Sequence, residues 1–391
     1  MRSIDERPAR GWALPVLAGG FIVGLLALPI VPALALGGVL ALGGVVTFKR
    51  SSWRSAALLA AAVLLGFSAI EAASGVLTPS AVNLTVVKDY EPHIWTIDDP
   101  VVGYRPRPGD TVHVDARYGN ELVFERTYTI EPSGARVTIG SQNTGPTYLF
   151  IGDSFIFGEG LSDAETLPSQ FAARLPEPAH VVNLGVLGYA PNHLVRALET
   201  GLYDAHVIGK VKAVFTWIIP AQLPRVTGDA SWLASSPRFV LDGAGQLQHT
   251  GSFLGHRVGD PLAGLSYFAR SHFASVARAA EPQLERERAD LYVALIARLR
   301  DLVRTRYGAP LIVLYHWPDR VLPDANDLQY LPIFRAIAAL DIPLIPARDV
   351  MGPVKRWSEF LIPHDEHPNA RLTSGLADEL VRFIEREKTA R

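Results

Sequence analysis

A long run without charge dominates the N-terminal part of the chain. No charged residue occurs between Gly11 and Phe48, a distance well beyond the about 20 residues that one transmembrane helix needs. Two prolines lie near the middle of this run, and proline interrupts a continuous helix. We therefore predict two short membrane spans, near residues 11–28 and 31–48, that are joined by a tight turn.

A third apolar segment, near residues 56–77, completes a predicted membrane anchor over residues 1–78. Basic residues precede the first and the third span; they are Arg2, Arg7, Arg10, Lys49, Arg50 and Arg54. With three spans both clusters lie on the cytoplasmic side, as the positive-inside rule expects. This arrangement predicts a multi-pass protein of the inner membrane whose remaining chain is extracytoplasmic, in the periplasm. A signal peptide fits less well, because its apolar region spans only about 7–15 residues.

One acidic residue, Glu71, lies within the third apolar segment. An acid inside a membrane span can be functional. Because Glu71 is close to the end of the segment, we expect it near the membrane interface instead.

Composition excludes several classes of protein. The chain has no cysteine, which rules out disulfides, cysteine-ligated zinc, iron–sulfur clusters and a thiol nucleophile. Its formal net charge of −2 provides no basic field for nucleic acid. Arginine and alanine are frequent and lysine is scarce, which favours a bacterial source.

Residues 79–145 are polar and carry short β-like segments. Thr111–Val114 and Leu122–Ile130 alternate in polarity and are rich in β-branched or aromatic residues. Gly119-Asn120 lies between them, a dipeptide typical of turns. We predict a β-rich extension that contains a hairpin and links the anchor to the next domain.

Apolar segments alternate with helical ones over residues 146–391. The predicted strands are Tyr148–Ile151, His180–Leu184, Lys212–Ile219, Pro310–Tyr315 and Pro343–Pro346, and the predicted helices are Glu165–Leu175, Pro191–Tyr203, Glu285–Tyr307, Tyr330–Leu340 and Leu372–Glu387. Such alternation predicts an α/β domain with a parallel sheet covered on both faces. An insertion over about residues 221–275 interrupts it, and we expect this insertion to cover a site or to bind substrate.

The first candidate for chemistry is Ser154, in the sequence Gly152-Asp153-Ser154. It lies between a predicted strand and a predicted helix, where open α/β sheets place their ligands. A serine hydroxyl needs a base to become a nucleophile. The loop Pro363–Asn369 offers His367 as that base and Asp365 as the nearest acid that can orient it.

Two other features of the candidate site follow from the sequence. The same loop carries two histidines and two acids, but their spacing does not match a zinc site, so we predict neither a metal nor a cofactor. An oxyanion needs donors, and the backbone N–H groups of Ser154 and Gly188 are suited to this role. Asn183 and Asn192 are side-chain alternatives.

Three ordered motifs resemble blocks of the SGNH (GDSL) hydrolase superfamily, in its membrane-anchored bacterial form. They are Gly152-Asp153-Ser154-Phe155, Asn183-Leu-Gly-Val-Leu-Gly188-Tyr and Asp365-Glu-His367-Pro-Asn. The resemblance covers about residues 145–388 and implies a flavodoxin-like three-layer α/β/α fold. It also implies Ser154 as nucleophile and oxyanion donor, Gly188 as a second donor, His367 as base and Asp365 as its partner.

The chain departs from the family pattern at two places. The third family block usually supplies an asparagine to the oxyanion hole, whereas this chain has Ile219-Pro-Ala-Gln222, so Gln222 is the candidate replacement. In the family, the acid commonly lies three residues before the histidine. This chain has His364 at that position, and the candidate acid is the next residue, Asp365.

The resemblance implies a serine ester hydrolase of the esterase, lipase or deacetylase type. Its expected partners are the lipid bilayer and a substrate that is an ester-bearing small molecule, a lipid or an O-acylated glycan. Two alternatives remain open at this point. One is an O-acyltransferase that modifies an extracellular glycan, and the other is a non-catalytic binding protein on the same scaffold.

Overall fold

The structure is a computed structural model that describes residues 30–77, 85–315, 331–352 and 354–389. The strands are β1 (Val87–Glu91), β2 (Thr96–Asp99), β3 (Gly103–Pro106), β4 (Thr111–Tyr118), β5 (Glu121–Thr129), β6 (Thr147–Gly152), β7 (His180–Gly185), β8 (Val211–Ile218), β9 (Pro237–Leu241), β10 (Leu247–Ser252), β11 (Leu311–Tyr315) and β12 (Leu344–Pro346). The helices are α1 (Ile30–Thr47), α2 (Ser51–Leu77), α3 (Ser154–Phe157), α4 (Leu167–Ala172), α5 (Pro191–Thr200), α6 (Leu223–Val226), α7 (Phe253–Gly259), α8 (Pro261–His272), α9 (Ala274–Tyr307), α10 (Leu331–Ala338), α11 (Arg348–Met351) and α12 (Ala370–Thr389).

A five-stranded parallel sheet forms the centre of the fold, in the order β12-β11-β8-β6-β7. Each of the five predicted strands is present, and the α/β fold class is confirmed. Strand β6 lies between β7 and β8, and its register with β7 runs from Thr147 opposite His180 to Gly152 opposite Gly185. Both neighbours of β6 therefore end close to the strand end that precedes Ser154.

Alternate residues of β6 face two different apolar layers, as the two-residue repeat of a strand requires. Leu149 and Ile151 belong to the layer under α5 and the C-terminal part of α9. Tyr148 and Phe150 belong to the layer under α4 and α12. All six residues of β6 are buried, which explains why its sequence is a continuous apolar run rather than an alternating one.

The β-rich extension contains the predicted hairpin. Strands β4 and β5 pair in antiparallel fashion, with a register shift between Ala116 and Arg117, and β1 pairs with the other edge of β4. Val112, Val114 and Phe124 are buried there, in a cluster that also holds Phe157 from α3 and residue Ile362. The extension thus packs against the segments that carry the candidate site.

The described residues divide into two compact units. One unit contains residues 85–259 and the described residues from 285 onward, so the extension and the α/β body belong together. Residues 30–77 and 260–284 form the other, so part of the predicted insertion groups with the N-terminal helices instead.

The prediction of three membrane spans is not supported. Within the described residues, one helix segment, Ser51–Ala73 of α2, is long and apolar enough to cross a membrane. The predicted second span corresponds to α1, whose apolar part, Pro32–Thr47, is shorter than a span requires. The predicted first span, near residues 11–28, lies outside the described residues.

Candidate active site

The turn after β6 presents Ser154 through its local hydrogen bonds. Asp153 is the N-cap of α3, and its side chain accepts a hydrogen bond from the backbone N–H of Phe155. Gly158 ends the helix in the left-handed conformation, at φ 84°. Ser154 is therefore the first residue of a one-turn helix at the carboxyl end of a central strand, and it is only 4% exposed.

The structure brings Ser154, His367 and Asp365 together. His367 Nε2 lies 2.8 Å from Ser154 Oγ, and His367 Nδ1 lies 2.9 Å from Asp365 Oδ2. A neutral imidazole that donates Nδ1–H to Asp365 has its Nε2 lone pair free to accept the serine proton. This is the geometry of a nucleophile, a base and an orienting acid.

The loop conformation explains why Asp365, and not the residue at the usual family position, is the acid. His364 and Glu366 both have positive φ, at 62°, so the backbone turns sharply on each side of Asp365. His364 points away and stacks on the ring of Tyr118, with ring centroids 4.0 Å apart. The turn leaves Asp365 as the side chain that reaches the imidazole.

Charged neighbours change the pKa of the acid and of the base. Burial raises the pKa of Asp365, but its hydrogen bond to His367 and the charge of Lys88 outweigh burial, so the pKa is lowered. Burial lowers the pKa of His367, but the carboxylates of Glu159 and Asp365 outweigh it, so the pKa is raised. Asp365 is therefore ionised over the physiological range, and the histidine holds its proton more firmly than a free imidazole does.

The two predicted oxyanion donors, the backbone N–H groups of Ser154 and Gly188, belong to residues that line the same cavity. Within the described residues, the N–H groups of Ser154 and Gly188 donate no hydrogen bond to the protein. Gly188 has φ 79°, and a Cβ at this position would lie 2.8 Å from Tyr104 Oη and 2.9 Å from Trp232 Nε1. Glycine is thus required both by the backbone conformation and by the lack of space.

Gln222 is not placed as the sequence predicts. Its Nε2 donates to Asp153 Oδ2 at 2.8 Å and to the Trp217 carbonyl at 3.0 Å, and its Oε1 accepts from Tyr292 Oη at 2.6 Å. The side chain is 3% exposed. Because both amide hydrogens are used within the core, Gln222 has no donor left for an oxyanion.

The two asparagines that were considered as alternatives also hold backbone groups. Asn183 Nδ2 donates to the Phe157 carbonyl at 3.2 Å. Asn192 Nδ2 donates to the Pro237 carbonyl at 2.8 Å. Both side chains are fully buried, so they connect neighbouring backbone segments rather than face a substrate.

Arg225 is a residue of the site that the sequence analysis missed. Its Nη1 donates to Asp153 Oδ2 at 3.1 Å and to the Tyr189 carbonyl at 3.0 Å. Asp153 precedes Ser154 and Tyr189 follows Gly188, so one guanidinium links the two turns that carry the oxyanion donors. Arg225 lies in α6, which begins directly after Gln222. The only available signal for it was its place in the segment that departs from the third family block.

A second group that the sequence analysis missed lies on the other side of His367. Glu159 Oε2 is 3.1 Å from His367 Nε2, and Lys88 Nζ is 2.7 Å from Glu159 Oε1 and 2.9 Å from Asp365 Oδ1. Glu159 follows the Gly-Asp-Ser motif closely, which was a usable signal. Lys88 belongs to β1 of the extension, where no local pattern marks it.

A cavity of about 1530 Å³ opens onto the triad. Ser154, Gly188, Arg225 and His367 lie in its wall, together with the aromatic residues Trp95, Tyr104, Trp232 and Trp357. Trp232 and Ser235 come from the insertion, which supports the prediction that this segment shapes the site. Among the described residues, no set of three His, Asp or Glu side chains is arranged to hold a metal.

Comparisons with known proteins return structural neighbours only. No family model matches the sequence, and no curated protein matches it. A lipolytic protein of the G-D-S-L family from Veillonella parvula DSM 2008 is 13% identical with a TM-score of 0.39, and the match covers 62% of this chain and 100% of that one. A protein placed in the lipolytic G-D-S-L family from Desulfitobacterium hafniense DCB-2 is 11% identical with a TM-score of 0.33, with 61% and 99% covered.

Both solved structures come from the family that the three sequence motifs resemble. In its ordered motifs, its parallel sheet and its Ser154–His367–Asp365 contacts, the chain is similar to hydrolases of the SGNH (GDSL) superfamily.

Proposed function

We propose that the chain is a membrane-anchored serine ester hydrolase that works through an acyl-enzyme on Ser154. The observation that carries this proposal is the pair of contacts made by His367, 2.8 Å to Ser154 Oγ and 2.9 Å to Asp365 Oδ2. The first of these contacts connects residues that are 213 positions apart in the sequence. They favour an enzyme over a non-catalytic binding protein, which would have no need of them.

The first half of the reaction forms the acyl-enzyme. Ser154 Oγ attacks the ester carbonyl carbon while its proton passes to His367 Nε2, and the carbonyl π electrons move onto the oxygen. The resulting oxyanion accepts hydrogen bonds from the N–H groups of Ser154 and Gly188. When the tetrahedral intermediate collapses, the bond to the leaving-group oxygen breaks, and that oxygen takes the proton from Nε2.

The second half repeats these steps with water. His367 removes a proton from the water as it attacks the acyl carbon, and it returns that proton to Ser154 Oγ as the acyl group leaves. A sugar hydroxyl in place of water would make the same enzyme an O-acyltransferase. The substrates that fit the proposal are an ester-bearing small molecule, a lipid or an O-acylated glycan.

The composition of α2 supports the proposed location of the enzyme. Its segment Ser51–Ala73 is long and apolar enough to cross a membrane, and Lys49, Arg50 and Arg54 lie at its N-terminal end. The positive-inside rule places that end in the cytoplasm. The catalytic unit, which follows the other end of α2, is then extracytoplasmic.

Labelling with a fluorophosphonate probe tests the nucleophile. The purified full chain is treated with the probe in detergent, and the modified residue is located by peptide mass spectrometry. We expect the label on Ser154 and none on Ser235, a serine of the same cavity that donates to the Gly103 carbonyl instead of contacting a histidine. The full chain should also cleave p-nitrophenyl acetate. Absence of both labelling and cleavage would contradict the proposal.

A further inference from the structure

The base, His367, belongs to a closed ring of four ionisable side chains, which we call the charge ring. Its members are Lys88, Glu159, Asp365 and His367. Lys88 Nζ contacts the two carboxylates at 2.7 and 2.9 Å. Each carboxylate contacts one imidazole nitrogen, Asp365 at Nδ1 (2.9 Å) and Glu159 at Nε2 (3.1 Å). The side chains are largely buried, so water screens these interactions only weakly.

Glu159 is held in place by residues outside the family motifs. Tyr90 Oη of β1 donates to Glu159 Oε1 at 2.9 Å. The backbone N–H of Gly160 donates to Tyr128 Oη of β5 at 2.9 Å. Arg136, which is fully buried, donates to the carbonyls of residues 157, 158 and 161. A loop fixed at so many points gives the Glu159 carboxylate a defined position beside the imidazole.

The ring favours the charged form of the histidine. With a neutral imidazole, one cation faces two carboxylates. With an imidazolium, two cations face two carboxylates, and each N–H of the ring has a carboxylate within hydrogen-bond distance. In the proposed reaction, the imidazolium is the species that forms as Ser154 attacks. Interactions that are stronger in the transition state than in the resting enzyme are the ones that raise kcat.

We propose that Glu159 is a positioning residue that accepts a hydrogen bond from His367 Nε2–H after the serine proton has been transferred, and that Lys88 fixes both carboxylates on the imidazole. This inference rests on the proposed function. Glu159 does not take part in the proton transfer: the proton moves from Ser154 Oγ to Nε2 and then to the leaving-group oxygen. The Glu159 contact stabilises the imidazolium between these two transfers.

The charge ring also sets the pH dependence. The groups that face His367 are Lys88 on β1, Glu159 after α3 and Asp365 on its own loop, with Tyr90 and Tyr128 behind Glu159. Its two carboxylates raise the pKa of His367, whereas the charge of Lys88 lowers it. Since the base must be neutral, activity should rise with pH through a midpoint above the ordinary histidine value of about 6.5. Removing the Glu159 charge should move that midpoint to lower pH.

Diethylpyrocarbonate modification tests the ring without relying on catalysis, because the reagent reacts with neutral imidazole. The full chain and its Glu159→Gln variant are modified between about pH 5 and pH 9, and the His367 product is measured by peptide mass spectrometry. We expect the midpoint to fall by about one pH unit in Glu159→Gln, a tenfold change in the protonation equilibrium, and to rise in Lys88→Met. Glu366→Gln, which removes an exposed neighbouring carboxylate, serves as the matched control.

The kinetic arm uses p-nitrophenyl acetate. Glu159→Gln should lower kcat about 10- to 100-fold, the effect of losing one charge-assisted hydrogen bond, and should shift the pH–rate profile in the same direction as the modification midpoint. A midpoint in Glu159→Gln equal to that in Glu366→Gln would overturn the inference. If the modification midpoint falls in Glu159→Gln but wild type shows neither probe labelling nor ester cleavage, the proposed function fails while the charge ring stands.

A different observation, in the unit formed by residues 30–77 and 260–284, supports a second inference. Helix α8 exposes Leu262, Leu265 and Phe268, which are 77%, 63% and 45% exposed. Their three-residue spacing places them on one face of the helix. Exposed apolar stripes of this kind mark interaction surfaces.

The connection between α8 and α9 contacts α2, and these contacts place α8 near one end of the candidate span. Phe273, which separates α8 from α9, packs edge-to-face on Phe67 of α2, with centroids 4.9 Å apart. The carboxylate of Glu71 accepts hydrogen bonds from the backbone N–H groups of Ala274 (2.9 Å) and Ser275 (3.2 Å). Glu71 thus caps the N-terminus of α9, where a negative charge is stabilising, and it is buried as that role requires.

We infer that α8 lies in the membrane–water interface, with its apolar stripe in contact with phospholipid. We infer phospholipid as the partner because α8 adjoins α2, and the surface of α2 also exposes apolar residues, among them Leu58, Leu59, Val63 and Ile70. Residues 67–71 lie near the end of α2 that is remote from the basic cluster. The connection between α8 and α9, which they contact, therefore lies at the depth of the membrane interface. A helix with an apolar face at that depth binds the headgroup–acyl boundary.

The absence of cysteine makes this inference testable with single labels. Leu265→Cys and the control Ala244→Cys, an exposed position in the turn between β9 and β10, are labelled with an environment-sensitive fluorophore in the full chain. Both are reconstituted in phosphatidylethanolamine–phosphatidylglycerol vesicles that carry spin-labelled lipid. We expect severalfold stronger quenching and a blue-shifted emission at position 265. Equal emission and quenching at the two positions would overturn the inference.

Discussion

Replacing Ser154 with alanine is expected to lower kcat for p-nitrophenyl acetate by about 10⁴- to 10⁶-fold, the effect of removing the nucleophile from enzymes with a serine triad. The substitution removes the atom that His367 Nε2 contacts at 2.8 Å, so no acyl-enzyme can form. The hydroxyl takes part in no hydrogen bond other than this one among those of the described residues. Folding should therefore be preserved, and the melting temperature should stay close to that of wild type.

The matched control for this prediction is Ser235→Ala. Ser235 lies in the same cavity, but its hydroxyl donates to the Gly103 carbonyl instead of contacting a histidine. We expect its turnover to stay within a few-fold of wild type. Turnover by Ser154→Ala equal to that of Ser235→Ala would show that another group performs the chemistry.

Replacing Asp365 with asparagine is expected to lower kcat by about 10³- to 10⁴-fold, as loss of the triad acid does elsewhere. An amide NH₂ at this position would donate to His367 Nδ1, so the imidazole would carry its proton on Nε2. In that tautomer Nε2 has no lone pair for the serine proton. Glu159 cannot compensate, because it contacts Nε2 and not Nδ1, and it would stabilise the unreactive tautomer.

Steady-state kinetics of Asp365→Asn and Glu366→Gln check this prediction. Glu366 is the adjacent acid and is exposed, so its variant controls for the loss of one negative charge in the same turn. We expect Glu366→Gln to stay close to wild type in kcat. Equal losses in the two variants would mean that Asp365 acts only through its charge, and not through its hydrogen bond to Nδ1.

Much of the central fold was predictable from local sequence. Each of the five strands of the parallel sheet appears where an apolar run predicts it, because a strand buried on both faces needs a continuous apolar segment. Helix ends were less accurate. The predicted helix Glu165–Leu175 is reduced to Leu167–Ala172, and the predicted helix Glu285–Tyr307 begins earlier, at Ala274, because capping and packing partners set those ends.

Some residues of the candidate site were also predictable from local sequence, and others were not. Ser154 and His367 were identified from motifs, and their contact in the structure agrees with the roles that the resemblance implies. Gln222 was chosen because it occupies the position of a family asparagine, but its amide is engaged by Asp153 and the Trp217 carbonyl. Side-chain direction at a loop position depends on the partners that the fold brings near it.

The amino-acid sequence by itself determined the parallel α/β body, the chemistry available at the end of β6 and the apolar character of the N-terminal helices. These properties follow from the periodicity and the turn residues of short segments. Only the tertiary structure decided that Lys88 and Glu159 enclose the base, that Arg225 links the two oxyanion turns, and that residues 260–284 join α2. These pairings connect residues far apart in the chain, and they depend on which surfaces pack together rather than on any local pattern.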